Sequence, residues 1–463
     1  MPVFADASSV RLKNGRLTKG TRLSGMNRTY GAPTLSTISA GSPAAASAKI
    51  VWRTNTSSDS KVVYGTTTAY GLTATSSSMV GAHSTTLIRL SPATTYHYVV
   101  VSTDTLGRTS TSTDRTFTTS SVRIGVGIAS ALYQQQNFTM PGHNDIDYLS
   151  SRGFSTIRLY LCWQKIQPSL NTTLDATYVS EIQSLMSYAA SQNIDVILDI
   201  HNNGRYSTDS ANCSGNATGD PIDSAQVPIS SFADLWTRMA TTFSGSPGLH
   251  GYGLMNEPHD MPSSSSWPNA AQAAINAIRA IDATTTIYVA GDAWDTAVNW
   301  ATVNPSFPLS DPSNSLVYEA HVYFDNAGGY YPTSFEQQGA SQNIGIQRVS
   351  SFVTWLQQHN AKGYIGEFGI PSASSPQWDP AWLGVTQRFM TYLKSNNVDM
   401  SVHSFDTYQT GDYIGTNGMW SWANPYYYLL NIAPVSNVND AFPLNESGTT
   451  PLLDLLTTYT LGH

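Results

Sequence analysis

The sequence predicts an α/β architecture, a (β/α)8 barrel, with an all-β sandwich ahead of it. Three observations carry this reading. The chain has 463 residues, more than one compact core accommodates, so two domains are expected. From about Gly31 to Thr119 the chain shows short alternating strands separated by serine, threonine and glycine turns, the texture of a sandwich. After Ser120-Ser-Val-Arg123 it changes to strands alternating with longer helical patterns, which means βαβ units and a parallel sheet. Eight such units in roughly 340 residues fit a barrel with long loops.

Residues 1–30 have no sustained period and read as a tail; six of the 23 lysines and arginines fall there. The sandwich is expected over 31–119. In it Ala48, Ile50 and Trp52 alternate and Val62-Val-Tyr-Gly65 follows. Thr86-Leu-Ile-Arg-Leu90 and Tyr96-His-Tyr-Val-Val-Val101 come next. The barrel is expected over 122–463. Its strands read near 123–129, 155–161, 194–201, 250–257, 286–292, 315–322 and 363–368, with the last somewhere in 398–422. Helical stretches lie between them, among them Tyr178 to Ser191, Ile229 to Phe243 and Gln347 to His359. A final one runs near Leu452–Tyr459.

Composition narrows the function. Charged residues make up 12% of the chain, against roughly 25% in an ordinary soluble domain. The polar surface is instead rich in hydroxyl and amide side chains, as in secreted proteins that handle polysaccharide, so a secreted, extracellular protein is expected. Residues 1–25 lack the apolar core of a signal peptide. A net charge of −8 argues against a nucleic-acid partner, whose binding needs a basic face. No run of about 18 apolar residues exists, so no membrane span is expected. The chain is read as a monomer. The two cysteines, Cys162 and Cys213, follow different strands on one side of the sheet. A bridge between them and two unrelated thiols are both compatible with the sequence.

In a barrel of this kind chemistry collects at the C-terminal ends of the strands. Gly253-Leu-Met-Asn-Glu-Pro-His-Asp260 places Glu257 at such an end, because Pro258 cannot continue the ladder. Gly363-Tyr-Ile-Gly-Glu-Phe-Gly-Ile-Pro371 places Glu367 at another. Paired carboxylates in this setting are the equipment of glycoside hydrolysis. Arg158, inside the run Thr156-Ile-Arg-Leu-Tyr160, must be paired if buried, and Asp199 on the next strand is the nearest candidate. Other strands end in His201-Asn202, in Asp292-Ala-Trp294 and in His321-Val-Tyr323. A packed barrel needs none of these polar groups.

Arg158, His201, Asn256-Glu257-Pro258, His321, Tyr323 and Glu367 together resemble glycoside hydrolase family 5 across most of 122–463. The strings Trp163-Gln164, Asp199-Ile-His-Asn202 and Asn256-Glu-Pro-His-Asp260 are especially similar to its endo-β-1,4-glucanases. The resemblance implies a retaining double displacement on β-glucan, with Glu257 as acid/base and Glu367 as nucleophile, kept ionised by Arg158. It implies that Asn256 holds a sugar hydroxyl and that Tyr323 and His321 position the carboxylates. His201 and Asn202 join the substrate-binding set. No metal or cofactor is called for. The family's last strand should end in a tryptophan under the sugar. Spacing puts that strand at Val398-Asp-Met-Ser-Val-His-Ser-Phe405, without one, so Trp420 in Gly418-Met-Trp420-Ser-Trp422 is taken as the floor. Trp163 and Trp294 are candidates for stacking further rings. Upstream, Leu90-Ser-Pro-Ala-Thr-Thr-Tyr96-His-Tyr98-Val-Val100 resembles the fibronectin type III pattern. That implies Trp52 as core tryptophan and a Tyr96 hydroxyl bonded back to nearby backbone.

Mannan, xyloglucan and exo-acting variants of the same chemistry stay open, since the barrel motifs define only the cleavage point. A metal-dependent hydrolase using His201, His321 and Asp292 is weighed against this; it lacks clustered ligand spacing. A non-catalytic polysaccharide-binding protein would be expected to lack one carboxylate, and both are present.

Overall fold

In the computed structural model the described residues are 31–128, 140–208, 219–329, 331–371, 378–405 and 451–461. The first six strands are β1 (Leu35–Ser39), β2 (Ala48–Gly65), β3 (Leu72–Leu87), β4 (Thr95–Thr103), β5 (Thr109–Thr111) and β6 (Arg115–Thr118). All their pairings are antiparallel. Two of the runs read separately from the sequence are one strand: β2 pairs with β1 through its first half and with β4 through its second. A register shift between Arg53 and Ser58 separates the halves. Along it Ala48, Ile50, Trp52, Ser58, Ser60, Val62 and Tyr64 are buried and alternate with less buried residues, the period of a half-buried strand. With Leu87, Leu90, Tyr96, Tyr98, Val100 and Phe117 the apolar ones form a core of their own.

The chain then builds eight parallel strands. They are β7 (Ile124–Ile128), β8 (Thr156–Leu161) and β9 (Asp195–Ile200); a short ribbon, β10 (Arg205–Tyr206) with β11 (Asp220–Pro221); then β12 (Leu249–Gly253), β13 (Thr286–Ala290), β14 (Leu316–Tyr323), β15 (Lys362–Gly369) and β16 (Asp399–Phe405). Apart from the ribbon they close in chain order into a barrel, with β16 paired to β7. The boundaries agree with those expected to within two residues, save that β12 stops at Gly253, short of Asn256-Glu257. The last strand is Asp399–Phe405.

Helices cover the outside for ordinary reasons. The helix Ala176–Ser191 is capped by the Asp175 carboxylate, which accepts from the Tyr178 amide at 2.8 Å. It buries Tyr178, Ile182, Leu185, Met186 and Ala189, one stripe at helical spacing. The helix Ile229–Phe243 does the same with Phe232, Leu235, Trp236, Met239 and Phe243. No helix among the described residues is long and apolar enough to cross a membrane. Cys162, after β8, is disulfide-bonded; Cys213 lies outside the described residues.

The antiparallel unit meets the barrel at the N-terminal ends of its strands. Ser47 Oγ donates to the Thr460 carbonyl at 2.5 Å. Arg89 Nε donates to Ser150 Oγ at 3.2 Å, and Asn193 Nδ2 to the Arg89 carbonyl. Ser150 and Asn193 stand just before β8 and β9, so the contact lies at the end opposite Glu257 and Glu367.

Candidate active site

Strand alternation decides what points into the barrel. On β8 the inward face carries Arg158 and Tyr160, while Ile157, Leu159 and Leu161 pack outward against the helices. Arg158 is fully buried, and a buried guanidinium needs its donors occupied. Nη1 donates to Glu367 Oε1 at 2.9 Å and Nη2 to Asn256 Oδ1 at 2.8 Å. Nη2 also lies 3.1 Å from Asp199 Oδ1, and Nε 2.9 Å from Glu319 Oε1. The expected partner Asp199 is there, joined by a carboxylate the sequence reading did not use, Glu319.

Glu367 faces inward because β15 is bulged. The register against β14 shifts between Ala320–Ile365 and His321–Glu367. Tyr364 therefore points into the barrel, Ile365 packs outward, and one extra residue, Gly366, turns Glu367 inward again. A side chain at 366 has no room, since its Cβ would stand 1.8 Å from Glu319 Oε1. The Glu367 carboxylate also accepts from the Tyr323 hydroxyl at 2.8 Å. Burial alone would raise its proton affinity. His403, His321, Arg158 and His201 overcome that and hold the carboxyl well below its usual range.

Glu257 sits four residues past the end of β12 with φ at +39°, a conformation costing on the order of 1–3 kcal/mol for a non-glycine residue. Its carboxylate keeps partial access to solvent, with the side chain 22% exposed, and meets His321 Nδ1 at 2.7 Å. The same nitrogen lies 3.6 Å from Glu367 Oε2. A carboxylate oxygen of Glu257, one of Glu367 and this ring nitrogen all lie within 4.8 Å of one another. Burial pushes the His321 imidazole toward neutrality, but Glu367, Glu257 and Glu319 more than reverse it, so its pKa is raised well above the ordinary value.

The remaining expected residues divide. His201 lines the site, its Nδ1 2.9 Å from Asp199 Oδ2 and its ring stacked on Tyr160 at 4.0 Å. Trp294 is half exposed and stacks on His259 at 4.4 Å. Trp420 lies outside the described residues. Two expectations are corrected. Trp163 is fully buried among Tyr206 and Phe232, its indole donating to Gln167 Oε1, so no sugar reaches its face. Asn202 spends its amide inside the loop: Oδ1 accepts from the Trp163 amide and Nδ2 donates to Gln164 Oε1. It is buried, and it shapes the floor rather than holding substrate.

Besides Glu319, sequence reasoning missed His403, whose Nδ1 lies 2.9 Å from the Tyr160 hydroxyl and 3.6 Å from Glu367 Oε2. It also missed Asp295, fully buried and 3.7 Å from His321 Nε2. The trio His201, His321 and Asp292 does not form a cluster. Among the described residues, the groups close enough to share an ion are Glu257–His321–Glu367 and Asp295–Glu319–His321. Within these groups Glu367 is engaged by Arg158 and Tyr323, Glu319 by Arg158, and Glu257 by His321.

Arg158, His201, Asn256, Glu257, His321, Tyr323 and Glu367 thus ring one cleft at the C-terminal mouth of a parallel barrel. Residues 117–409 match the family described as Cellulase (glycosyl hydrolase family 5), well over half the chain. The chain belongs to glycoside hydrolase family 5. It is 30% identical over 308 residues to Endoglucanase 3 of Humicola insolens, covering 65% of this chain and 69% of that one. It is 30% identical over 245 residues to the manganese dependent endoglucanase Eg5A of Phanerodontia chrysosporium, where the match takes in 51% of this chain and 58% of the other. The family fold is matched by the crystal structure of endoglucanase Cel5A from Pseudomonas stutzeri. That comparison gives a TM-score of 0.59 and 30% identity over 73% of this chain and 94% of that one.

Proposed function

We propose that this family 5 hydrolase is a retaining endo-β-1,4-glucanase acting on cellulose-type or mixed-linkage β-glucan, with Glu367 as nucleophile and Glu257 as acid/base. The observation that carries this is the approach of the two carboxylates to within 4.8 Å in opposite surroundings. Retaining enzymes hold such groups about 5–5.5 Å apart, whereas inverting ones leave room for a water between them. Glu367 is buried against a cation and a hydroxyl donor, which keeps an electron pair free for attack on the anomeric carbon. Glu257 is partly open to the cleft, where a leaving oxygen can take its proton as the glycosidic bond breaks. The resulting ester to Glu367 is then cleaved by water. Glu257 takes one proton from that water, and the Glu367 carboxylate departs.

Similarity to endo-β-1,4-glucanase B of Emericella nidulans, 30% identical over 234 residues, supports the β-1,4 linkage. Another Pseudomonas stutzeri Cel5A structure, 30% identical, holds cellobiose. Asn256, whose Oδ1 is fixed by Arg158 and whose Nδ2 donates to Asn203 Oδ1, has a second amide hydrogen for a sugar hydroxyl. Trp294 offers an exposed face for a ring beyond the bond cleaved, and His201 adds a substrate contact.

The division 31–119 and 122–463 is proposed as two domains, the first a fibronectin type III-like module. In support, Trp52 is buried, and the Tyr96 hydroxyl accepts from the Ser91 amide at 2.9 Å, as at the corner of such modules. Its position under the barrel favours a bracing role. A disulfide at Cys162 favours an oxidising, extracellular setting, and a monomer suffices for the site.

The test is reducing-sugar release from carboxymethylcellulose, barley β-glucan, xyloglucan, glucomannan and galactomannan, with Glu367→Ala and Glu257→Ala alongside. Release from the first two substrates, abolished by Glu367→Ala and restored by azide as the inverted glycosyl azide, is expected. Glu257→Ala should retain activity on aryl glycosides with good leaving groups. Release from mannans alone would keep the mechanism and change the substrate. An inverted wild-type product would overturn the roles.

A further inference from the structure

We propose that Asp295 is a positioning residue that sets, through His321, the proton held by Glu257. The inference rests on Glu257 being the acid/base. It starts from the backbone. After β13, the residues Ala293, Trp294 and Asp295 have φ of 57°, 58° and 54°. Three successive left-handed residues, none of them glycine, cost roughly 1–2 kcal/mol each. Such strain persists only where the surroundings impose it, and it clusters at functional sites.

The turn points successive side chains in opposite directions. Trp294 faces the cleft, tied to the Glu257 loop by its amide bond to the Pro258 carbonyl at 3.1 Å and by its stack on His259. Asp295 goes into the protein interior, with no exposed surface. Its Oδ1 accepts from the Gly291 amide at 2.5 Å. Its Oδ2 has no hydrogen-bond partner among the described residues and stands 3.7 Å from His321 Nε2. The chain then locks onto the same histidine: Thr296 bridges His321, and the Ala297 amide donates to the His321 carbonyl at 3.2 Å. The turn therefore aims a buried carboxyl at the back of the ring whose front touches Glu257.

His321 is faced by Glu257 and Glu367 at Nδ1, and by Glu319 and Asp295 at Nε2. Glu319 and Glu367 are each neutralised by Arg158. Among the described residues, the cation paired with Asp295 is His321. Burial first, then Glu319 and Glu257, raise its proton affinity, against the pull of His321 and the Gly291 amide. In its ionised form Asp295, 3.7 Å behind the ring, offsets the charge of the His321 imidazolium without a hydrogen bond to it, since Nε2 turns to Glu319 Oε1. Glu257 is then apposed to an N–H donor whose charge is balanced from behind.

Asp295→Asn keeps the shape and the acceptor for Gly291 and removes the balancing charge. His321 stays protonated through Glu367, Glu257 and Glu319, and an unbalanced cation 2.7 Å from Glu257 favours the carboxylate. The basic limb of kcat/KM on barley β-glucan is expected to move to lower pH by roughly one unit, the scale of one nearby charge. On 2,4-dinitrophenyl β-cellobioside, whose leaving group needs no proton, kcat/KM should change less than about twofold, a difference of under 0.5 kcal/mol. Asp295→Ser, which also removes the carboxylate, should show the same split and guards against a fold defect peculiar to the amide. An unmoved basic limb, or equal losses on both substrates, would overturn the proposal. Glu257→Ala run in parallel separates the two readings. If it fails to distinguish the substrates, the acid/base assignment falls; if it distinguishes them and Asp295→Asn does not, only the role of Asp295 falls.

Discussion

Gly366→Ala puts the geometry of the nucleophile strand at risk with one methyl group. The backbone at 366 is outside the left-handed region, so an alanine is tolerated conformationally and the effect comes from contact alone. The new Cβ would lie 1.8 Å from Glu319 Oε1 and 2.7 Å from its Cδ, where ordinary contact begins at 3.4 Å. Relief needs a displacement of about 1.6 Å, either of the Glu319 carboxylate or of the bulge that aims Glu367. The first route breaks a 2.9 Å ion pair between Glu319 and Arg158; unpairing a buried charge costs about 3–5 kcal/mol. The second misplaces the nucleophile, and an error near 1 Å costs on the order of a hundredfold in rate. Expected, therefore, are a loss of about 2–4 kcal/mol in unfolding free energy by urea denaturation and a fall in kcat of roughly a hundredfold. The decisive assay is a double-mutant cycle with Glu319→Ala, which removes the atoms the methyl would meet. The two substitutions should be coupled by at least about 1 kcal/mol; additivity within about 0.5 kcal/mol would refute the proposed clash.

Tyr323→Phe removes the hydroxyl that donates to Glu367 Oε2 at 2.8 Å. A hydrogen bond to a charged group is worth about 1.5–3 kcal/mol, so kcat/KM should fall by roughly ten- to a hundredfold with little change in thermal stability. The depressed Glu367 carboxyl makes the acid limb of kcat/KM fall below the usual carboxylate range. Being lowered in the fold, it also contributes stability above its unfolded value that is lost as pH drops through the folded one. His403→Gln, which can still accept from Tyr160, removes a cation from beside that carboxylate in acid. The limb should then move to higher pH, and an unmoved limb would exclude a role for His403. Gly153, at φ +79° and with its Cβ direction 2.4 Å from the Thr460 carbonyl, lies at the barrel's other end. Gly153→Ala should lower unfolding free energy by about 1–3 kcal/mol and leave kcat unchanged, measured by chemical denaturation beside steady-state kinetics.

What the sequence displayed and what it hid follow from the range of each signal. The barrel strands were legible because buried parallel strands read as short apolar runs. Glu257 and Glu367 were legible because each sits in a strand-and-stop pattern where a carboxylate has no packing role. Glu319 and His403 were equally open to a period of two. Glu319 shares the inward face of β14 with His321, and His403 the inward face of β16 with Ser401, but both stand inside their strands, short of the ends where a barrel's chemistry collects. Trp163 and Asn202 were misjudged for the opposite reason. Standing at a strand end does not say whether a side chain turns toward the cleft or folds back under its own loop. The bulge left one local sign, Gly366 inside a strand run, whereas the left-handed turn at 293–295 left none, because Ala293, Trp294 and Asp295 have no preference for that conformation. Only the contacts they serve make it the stable choice. Both irregularities act on the same object from two sides: one aims Glu367 at Arg158 and His321, the other aims Asp295 at the back of His321. The regular part of the barrel supplies the cleft, and its two departures from regularity supply the difference between two chemically identical carboxylates.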